Sequence, residues 1–214
     1  MTDNSIETGR LLQQAGQGDQ QAWHALVAAN DERLRRMVAV RMDRRLQGRV
    51  DVADVIQEAY VEVAEHIDEY LARPSMPFYL WLRAIAVNKL LQLHRHHLGT
   101  EMRDAGREVA LYRDPLPEAA SAALAAQLLG RLPRPSEAAV RTEMKARLQE
   151  ALNRLDPLDR EALALRHFEQ LTVSEMAGVL RISGAAASKR LLRALQRLRE
   201  VLQGMPGGLQ ALAP

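Results

Sequence analysis

The sequence predicts an all-α chain of two helical domains, a three- to four-helix unit and a helix-turn-helix domain, joined by a flexible linker. Three observations lead there. Apolar residues recur at steps of three and four along several separate stretches, while period-two alternation is hard to find. Ala, Leu, Arg, Gln and Glu dominate and aromatic residues make up only 4% of the chain, an inventory of helix formers rather than strand formers. Between Gly99 and about Arg141 the periodicity weakens and Pro115, Pro117, Pro133 and Pro135 punctuate an alanine-rich segment, which divides two well-patterned regions.

The elements follow in order. Asp19 is placed to cap a long helix by accepting from a first-turn amide, and Trp23, Leu26, Val27, Leu34, Met37, Val38 and Met42 continue it, with a break expected around Asn30. A second helix opens near Asp51, with Val52, Val55, Ile56, Ala59, Val63 and Ile67 on one stripe and an almost purely acidic opposite side. The loop at 71–77 contains Pro74 and Pro77, which end that helix, and Pro77 is suited to begin a third. In the third, Phe78, Trp81, Leu82, Ile85 and Ala86 share a face and the far end is basic. Periodicity resumes at Met144, with Leu148, Ala151, Leu152 and Leu155 marking a helix that stops before Asp156 and Pro157. Three shorter helices follow, at about 158–168, 172–180 and 184–202. The domains are therefore expected at 1–98 and 142–203, with a linker at 99–141 and a disordered tail at 204–214. Leu124, Leu128, Leu129 and Leu132 leave open that part of the linker docks.

Composition removes several function classes. There is no cysteine, so disulfides, thiolate metal sites, cysteine nucleophiles and CxxC redox pairs are excluded. The N-terminal stretch lacks the pattern of a secretory signal, and no run reaches about 18 uncharged apolar residues, so a cytoplasmic protein without membrane insertion is expected. The formal net charge is only +2, so any nucleic-acid affinity has to come from local basic surface. No phosphate-binding glycine loop, GxSxG or HExxH motif occurs and no two carboxylates are marked as acid and base, so no enzyme activity and no cofactor are expected. His94, His96 and His97 lack the one-face spacing of a metal site.

Charge is instead segregated. The second helix carries Asp51, Asp54, Glu58, Glu62, Glu65, Asp68 and Glu69 and no Lys or Arg. Like charges three or four residues apart cost a few tenths of a kcal/mol each, so this helix is either an ordinary solvated face or a docking face for a basic protein surface. Arginines between Arg33 and Arg49 offer a partial internal match. The third helix joins Phe78, Tyr79 and Trp81 to Asn88, Lys89, Gln92, Arg95 and His96. Rings that stack on bases, followed by cations that track a backbone, are how single strands are held. Core spacing assigns Phe78 and Trp81 to packing and leaves Tyr79, Asn88 and Gln92 freer. Thr172 or Ser174 starts a short helix with Glu175 in its first turn, a turn at 181–183 follows, and the last helix carries Lys189, Arg190, Arg193, Arg197 and Arg199 without an acid before Glu200. That is the outline of a helix-turn-helix whose second helix enters the major groove. Ala187, Leu191, Leu195 and Leu198 are its expected inward stripe.

The order GDQQAWHALV at 18–27, DVADVIQEAYVEV at 51–63, PFYLWLRAIAVNKLLQLHR at 77–95 and LNRLDPLDREALALRHFEQLTVSEMAGVLRISGAAASKRLLRALQRL at 152–198 resembles the extracytoplasmic-function (group 4) sigma factors of bacterial RNA polymerase. The resemblance covers nearly the whole chain. It implies sigma regions 2 and 4, and a sigma factor that binds core polymerase and directs promoter recognition, DNA melting and initiation. It places Asp54, Gln57, Glu58 and Glu62 against the β′ coiled coil. The downstream promoter element, as melted single strand, falls to Arg73, Ser75 and Met76 of the loop with Tyr79, Asn88, Lys89, Gln92, Arg95 and His96. The upstream element, as duplex, falls to Ser188, Lys189, Arg190, Arg193 and Arg197, and region 4 also meets the β flap. An anti-sigma factor or a regulatory kinase is a further expected partner.

This chain departs from the family at three positions. Gln92 stands where Asp is common. Arg181 stands where the turn usually has Gly, at a cost of about 1 kcal/mol if the residue is left-handed. Ser188, after three alanines, replaces a frequent basic residue. Two other readings compete: a dimeric helix-turn-helix regulator that never engages polymerase, which leaves the acidic helix unexplained, and a helical adaptor binding proteins through both charged faces.

Overall fold

The computed structural model describes residues 2–42, 46, 50–98, 121, 124–125 and 138–203, and among these every regular element is helical. The chain divides into two compact units, Met1–Val38 with Leu46–Glu101 and Ala39–Arg45 with Met102–Pro214. The expected tail at 204–214 lies outside the described residues, as does most of the expected linker.

The first unit contains a helix that periodicity did not reveal. α1 (Thr2–Gly16) packs on α3, and Gly16 sits so close to it that a β-carbon would come within 2.6 Å of Leu71 Cδ1. The chain turns at Gly18, whose φ of 87° suits glycine, into α2 (Gln20–Arg41). Asp19 caps α2 as expected, accepting from the amides of Gln21 at 2.8 Å and Ala22 at 3.1 Å. The break expected at Asn30 is absent. Asn30 is buried and its Nδ2 donates to the Leu26 carbonyl one turn back at 2.8 Å, so its amide is satisfied without opening the helix.

α3 (Val52–Ala72) begins with a reciprocal cap, in which Asp51 accepts from the first turn while Asp54 accepts from the Asp51 amide at 3.0 Å. Its stripe of Val55, Ile56, Ala59, Tyr60, Val63 and Ile67 is buried. α4 (Phe78–Leu98) starts directly after Pro77 and packs along α3. Leu82 and Ala86 are fully excluded from water, and each large aliphatic side chain so buried contributes about 1.5–3 kcal/mol.

In the second unit, α5 (Ala138–Asn153) and α6 (Pro157–Leu163) are separated at Asp156, which caps α6 by accepting from the Leu158 amide at 3.0 Å. A π-helical turn, Ala164–Phe168, follows α6. Thr172 rather than Ser174 caps α7 (Val173–Leu180), with Glu175 reaching back to the Thr172 amide at 2.7 Å. α8 (Gly184–Gln203) packs on α5, α6 and α7. The core joins Met144, Leu148 and Leu152 to Leu163, Phe168 and Ala194, with Leu191 and Leu198 against it. Leu124 and Ala125 of the expected linker belong to this core.

The inward stripe of α8 needs one correction. Leu195 is 38% exposed and Ala194 takes the buried place, because the small side chain lets α8 approach its neighbours more closely than leucine allows.

Candidate functional site

Three surfaces carry the residues that the sequence singles out. The first is a groove of about 610 Å³ on the first unit, lined by Val50, Asp54, Gln57, Glu58, Val61, Glu62, Glu65, Lys89 and Leu93. Burying the apolar stripe of α3 against the rest of the unit turns its acidic side outward. Asp54, Gln57 and Glu58 are exposed, and Val61 is 53% exposed among them. Glu62 is only partly exposed because Lys89 of α4 donates to it at 2.7 Å. That bond, with the Coulomb field of Glu62, Glu58 and Glu65, raises the Lys89 pKa above the ordinary lysine value. The groove is thus an apolar floor ringed by carboxylates, a match for a basic amphipathic helix.

The second surface is the loop and the open strip of α4. Arg73, Ser75 and Met76 are exposed, and Tyr70 Oη donates to the Met76 carbonyl at 2.9 Å, tying the loop to α3. Asn88, Gln92 and His96 are exposed; the side chain of Arg95 lies outside the described residues. Tyr79 is a correction. It is buried at 5% exposure, with the Arg33 guanidinium 3.7 Å from its ring centroid, so it cannot offer a face to a base. α4 is buried around most of its circumference, and Tyr79 falls on a covered side with Arg83 and Leu90. The ring on the open strip is Trp81, where core spacing alone predicts packing. It is half-buried and stacks on Tyr70 at 4.5 Å with a 13° interplanar angle. Its spacing to Asn88 and Gln92, seven and eleven residues, was the signal available.

The third surface is α8. Lys189 is exposed and Ser188 half-buried. Arg190, Arg193 and Arg197 converge on one carboxylate, Asp159 of α6, which is fully buried. Asp159 carried no sequence signal, since these partners lie 31–38 residues away. Arg181 ends α7 at φ 53° and ψ 43°, the left-handed conformation that glycine would take without strain. Among the described residues no group of His, Cys, Asp and Glu is arranged to hold a metal ion, and no helix is long and apolar enough to cross a membrane.

Residues 31–98 match the family model for sigma-70 region 2 and residues 145–198 match that for sigma-70 region 4. The RNA polymerase sigma factor CnrH of Cupriavidus metallidurans is 30% identical over 93% of this chain and 96% of its own. The ECF RNA polymerase sigma factor ShbA of Streptomyces griseus is 31% identical over 94% of this chain and 98% of its own. The chain belongs to the extracytoplasmic-function sigma factors. The sigma factor NccH of Alcaligenes xylosoxydans is 28% identical over 95% of this sigma factor and 98% of its own length. The solved structure of CnrH in complex with the cytosolic domain of CnrY shares the fold, with a TM-score of 0.55 over 94% of this chain and 99% of that one at 24% identity. As a sigma factor, this protein binds core RNA polymerase and promoter DNA and directs transcription initiation. The dimeric-regulator reading is thereby set aside.

Proposed function

We propose that this sigma factor divides its work among the three surfaces, with the α3 groove as the docking site for the β′ coiled coil of core polymerase. The observation that carries this reading is the groove itself. Asp54, Gln57, Glu58 and Glu62 ring an exposed apolar floor, and beyond the capping pair Asp51 and Asp54 and the Lys89-paired Glu62, the acids Glu58, Glu65, Asp68 and Glu69 stand on a helix that carries no Lys or Arg, a run of like charge that a basic partner relieves. Arg73, Ser75 and Met76, with Asn88, Lys89, Gln92, Arg95 and His96, take the melted downstream element. Extruding a base costs a few kcal/mol, which an ordered loop beside a ring offsets, and Trp81 replaces Tyr79 as that ring. Ser188, Lys189, Arg190, Arg193 and Arg197 take the upstream duplex, and region 4 also meets the β flap. The protein acts in the cytoplasm, without catalysing a reaction of its own. An anti-sigma protein is a fitting regulator, because CnrH, which shares the fold, has been solved in complex with the cytosolic domain of CnrY.

The test is binding of the full chain to bacterial core polymerase, wild type beside a Glu58→Lys, Glu62→Lys double variant, followed by run-off transcription from a promoter library. Tight binding lost in the double variant supports the groove as the docking site. Equal binding by both proteins removes it.

A further inference from the structure

Asp159 is the third residue of a short helix, yet its side chain is fully excluded from solvent and surrounded by cations of α8. Its Oδ1 accepts from Arg190 Nη1 at 3.0 Å and from Arg193 Nη2 at 2.9 Å. Its Oδ2 accepts from Arg193 Nε at 3.1 Å and from Arg197 Nη1 at 3.2 Å. Arg193 therefore grips it in the two-pronged geometry that guanidinium and carboxylate share. Arg190 is mostly covered and also reaches Asp156 at 3.5 Å, whereas the side chains of Arg193 and Arg197 remain 50% and 49% exposed. A guanidinium has five donor hydrogens. Arg193 spends two on Asp159 and Arg197 one, so most of their donors, and positive charge that one carboxylate cannot cancel, are left facing outward.

We propose that Asp159 is a positioning residue for duplex DNA, holding Arg193 and Arg197 in the conformation in which their remaining donors meet backbone phosphates. This rests on the reading of α8 as the duplex-binding helix. A free arginine is rotamer-rich and loses that freedom when it grips a phosphate; an arginine already fixed by a buried carboxylate loses much less. The contact is to the backbone, because Arg193 and Arg197 already spend donors on Asp159, and what they still present is half-exposed positive charge, which suits phosphate oxygens. The clamp separates two tasks on one helix: Arg193 and Arg197 set register on the duplex, and exposed residues such as Lys189 are left to meet base edges.

The sign of the effect makes this testable. Asp159→Asn removes a negative charge beside the DNA-binding helix, so bulk electrostatics alone would tighten binding. Loss of positioning weakens it, by about three- to tenfold for one or two arginines that must be re-ordered. The experiment is titration of a fluorescent duplex oligonucleotide of arbitrary sequence, which suffices for backbone contacts, with the full chain over a salt series, at a temperature where circular dichroism shows each variant folded. The proteins are wild type, Asp159→Asn, Arg193→Gln, the double variant, and Lys189→Gln alone and combined with Asp159→Asn. Weaker binding by Asp159→Asn, with an effect that does not add to Arg193→Gln but does add to Lys189→Gln, is the expected result. Binding that is unchanged or tighter in Asp159→Asn overturns the proposal while leaving region 4 as a duplex binder. Absence of wild-type binding even at low salt overturns both. Arg193→Lys decides the matter should Asp159→Asn fail to fold. It keeps the charge and loses the fork, so wild-type affinity in that variant overturns the proposal and weakened affinity supports it.

Discussion

The Lys89 ammonium donates to the Glu62 carboxylate at 2.7 Å, so a residue assigned to the promoter strand is tied to one assigned to polymerase. The side chains of the pair are 21% and 34% exposed, and an ion pair so open to solvent contributes about 0–1 kcal/mol. Lys89→Gln is therefore expected to leave the urea midpoint nearly unchanged while reducing promoter opening by the holoenzyme, read as permanganate reactivity of unpaired thymines. Unimpaired opening would remove Lys89 from the strand site. Because the Lys89 pKa is raised in the folded protein, its contribution is fully present below the unfolded lysine value and is lost only as pH rises through the folded one. The stability difference between wild type and variant should stay flat through neutral pH and close only in strong alkali.

His66 reports the field of the acidic helix. Its Nδ1 lies 2.9 Å from the Glu62 carbonyl, and that hydrogen bond, with the charges of Glu69, Glu62 and Glu65, raises its pKa above the ordinary histidine value. Raised in the folded state, this group stabilises α3 below the unfolded histidine value and loses the contribution as pH rises through the folded one. Titration of His66 by NMR should give a midpoint above 6.5 that falls in Glu69→Gln and falls further in salt, without reaching the unfolded value. A midpoint insensitive to both changes would refute the assigned charges.

Arg181 holds a left-handed backbone that costs an L-residue with a β-carbon about 1–2 kcal/mol. Arg181→Gly is expected to stabilise the helix-turn-helix by about 1 kcal/mol, less what glycine adds to unfolded-chain entropy. Arg181→Ala should give no gain. Urea denaturation of the full chain distinguishes them; equal stability of the two variants would mean that the turn is not strained.

Tyr70 holds the loop from below, donating to the Met76 carbonyl while it stacks on Trp81. Tyr70→Phe keeps the stack and removes one hydrogen bond, a change of about 0.5–1.5 kcal/mol at most. The amides of Ser75 and Met76 should then exchange faster with deuterium, and promoter melting should fall while binding to core polymerase stays. Unchanged exchange would show that the loop is held by other contacts.

Fold class, helix order and most caps were legible because they are local. Asp19, Asp51 and Thr172 each accept from amides two or three residues ahead, and the stripe of α3 is a repeat within one helix. α1 escaped notice because its apolar residues are few and its position depends on a close approach to Leu71. Asn30 misled because a polar side chain that breaks a helix in water instead satisfies itself against Leu26 when buried.

The sequence by itself determined the charges, the helices that carry them and, through the order of its motifs, the family. Only the tertiary structure decided which side chains each helix leaves open. Tyr79 is covered by Arg33 and Trp81 lies on the open strip, and Arg190, Arg193 and Arg197 are gathered on Asp159 rather than spread around α8. Periodicity locates a helix face to within about a residue, whereas exposure and ion pairing depend on neighbours that arrive from tens of residues away.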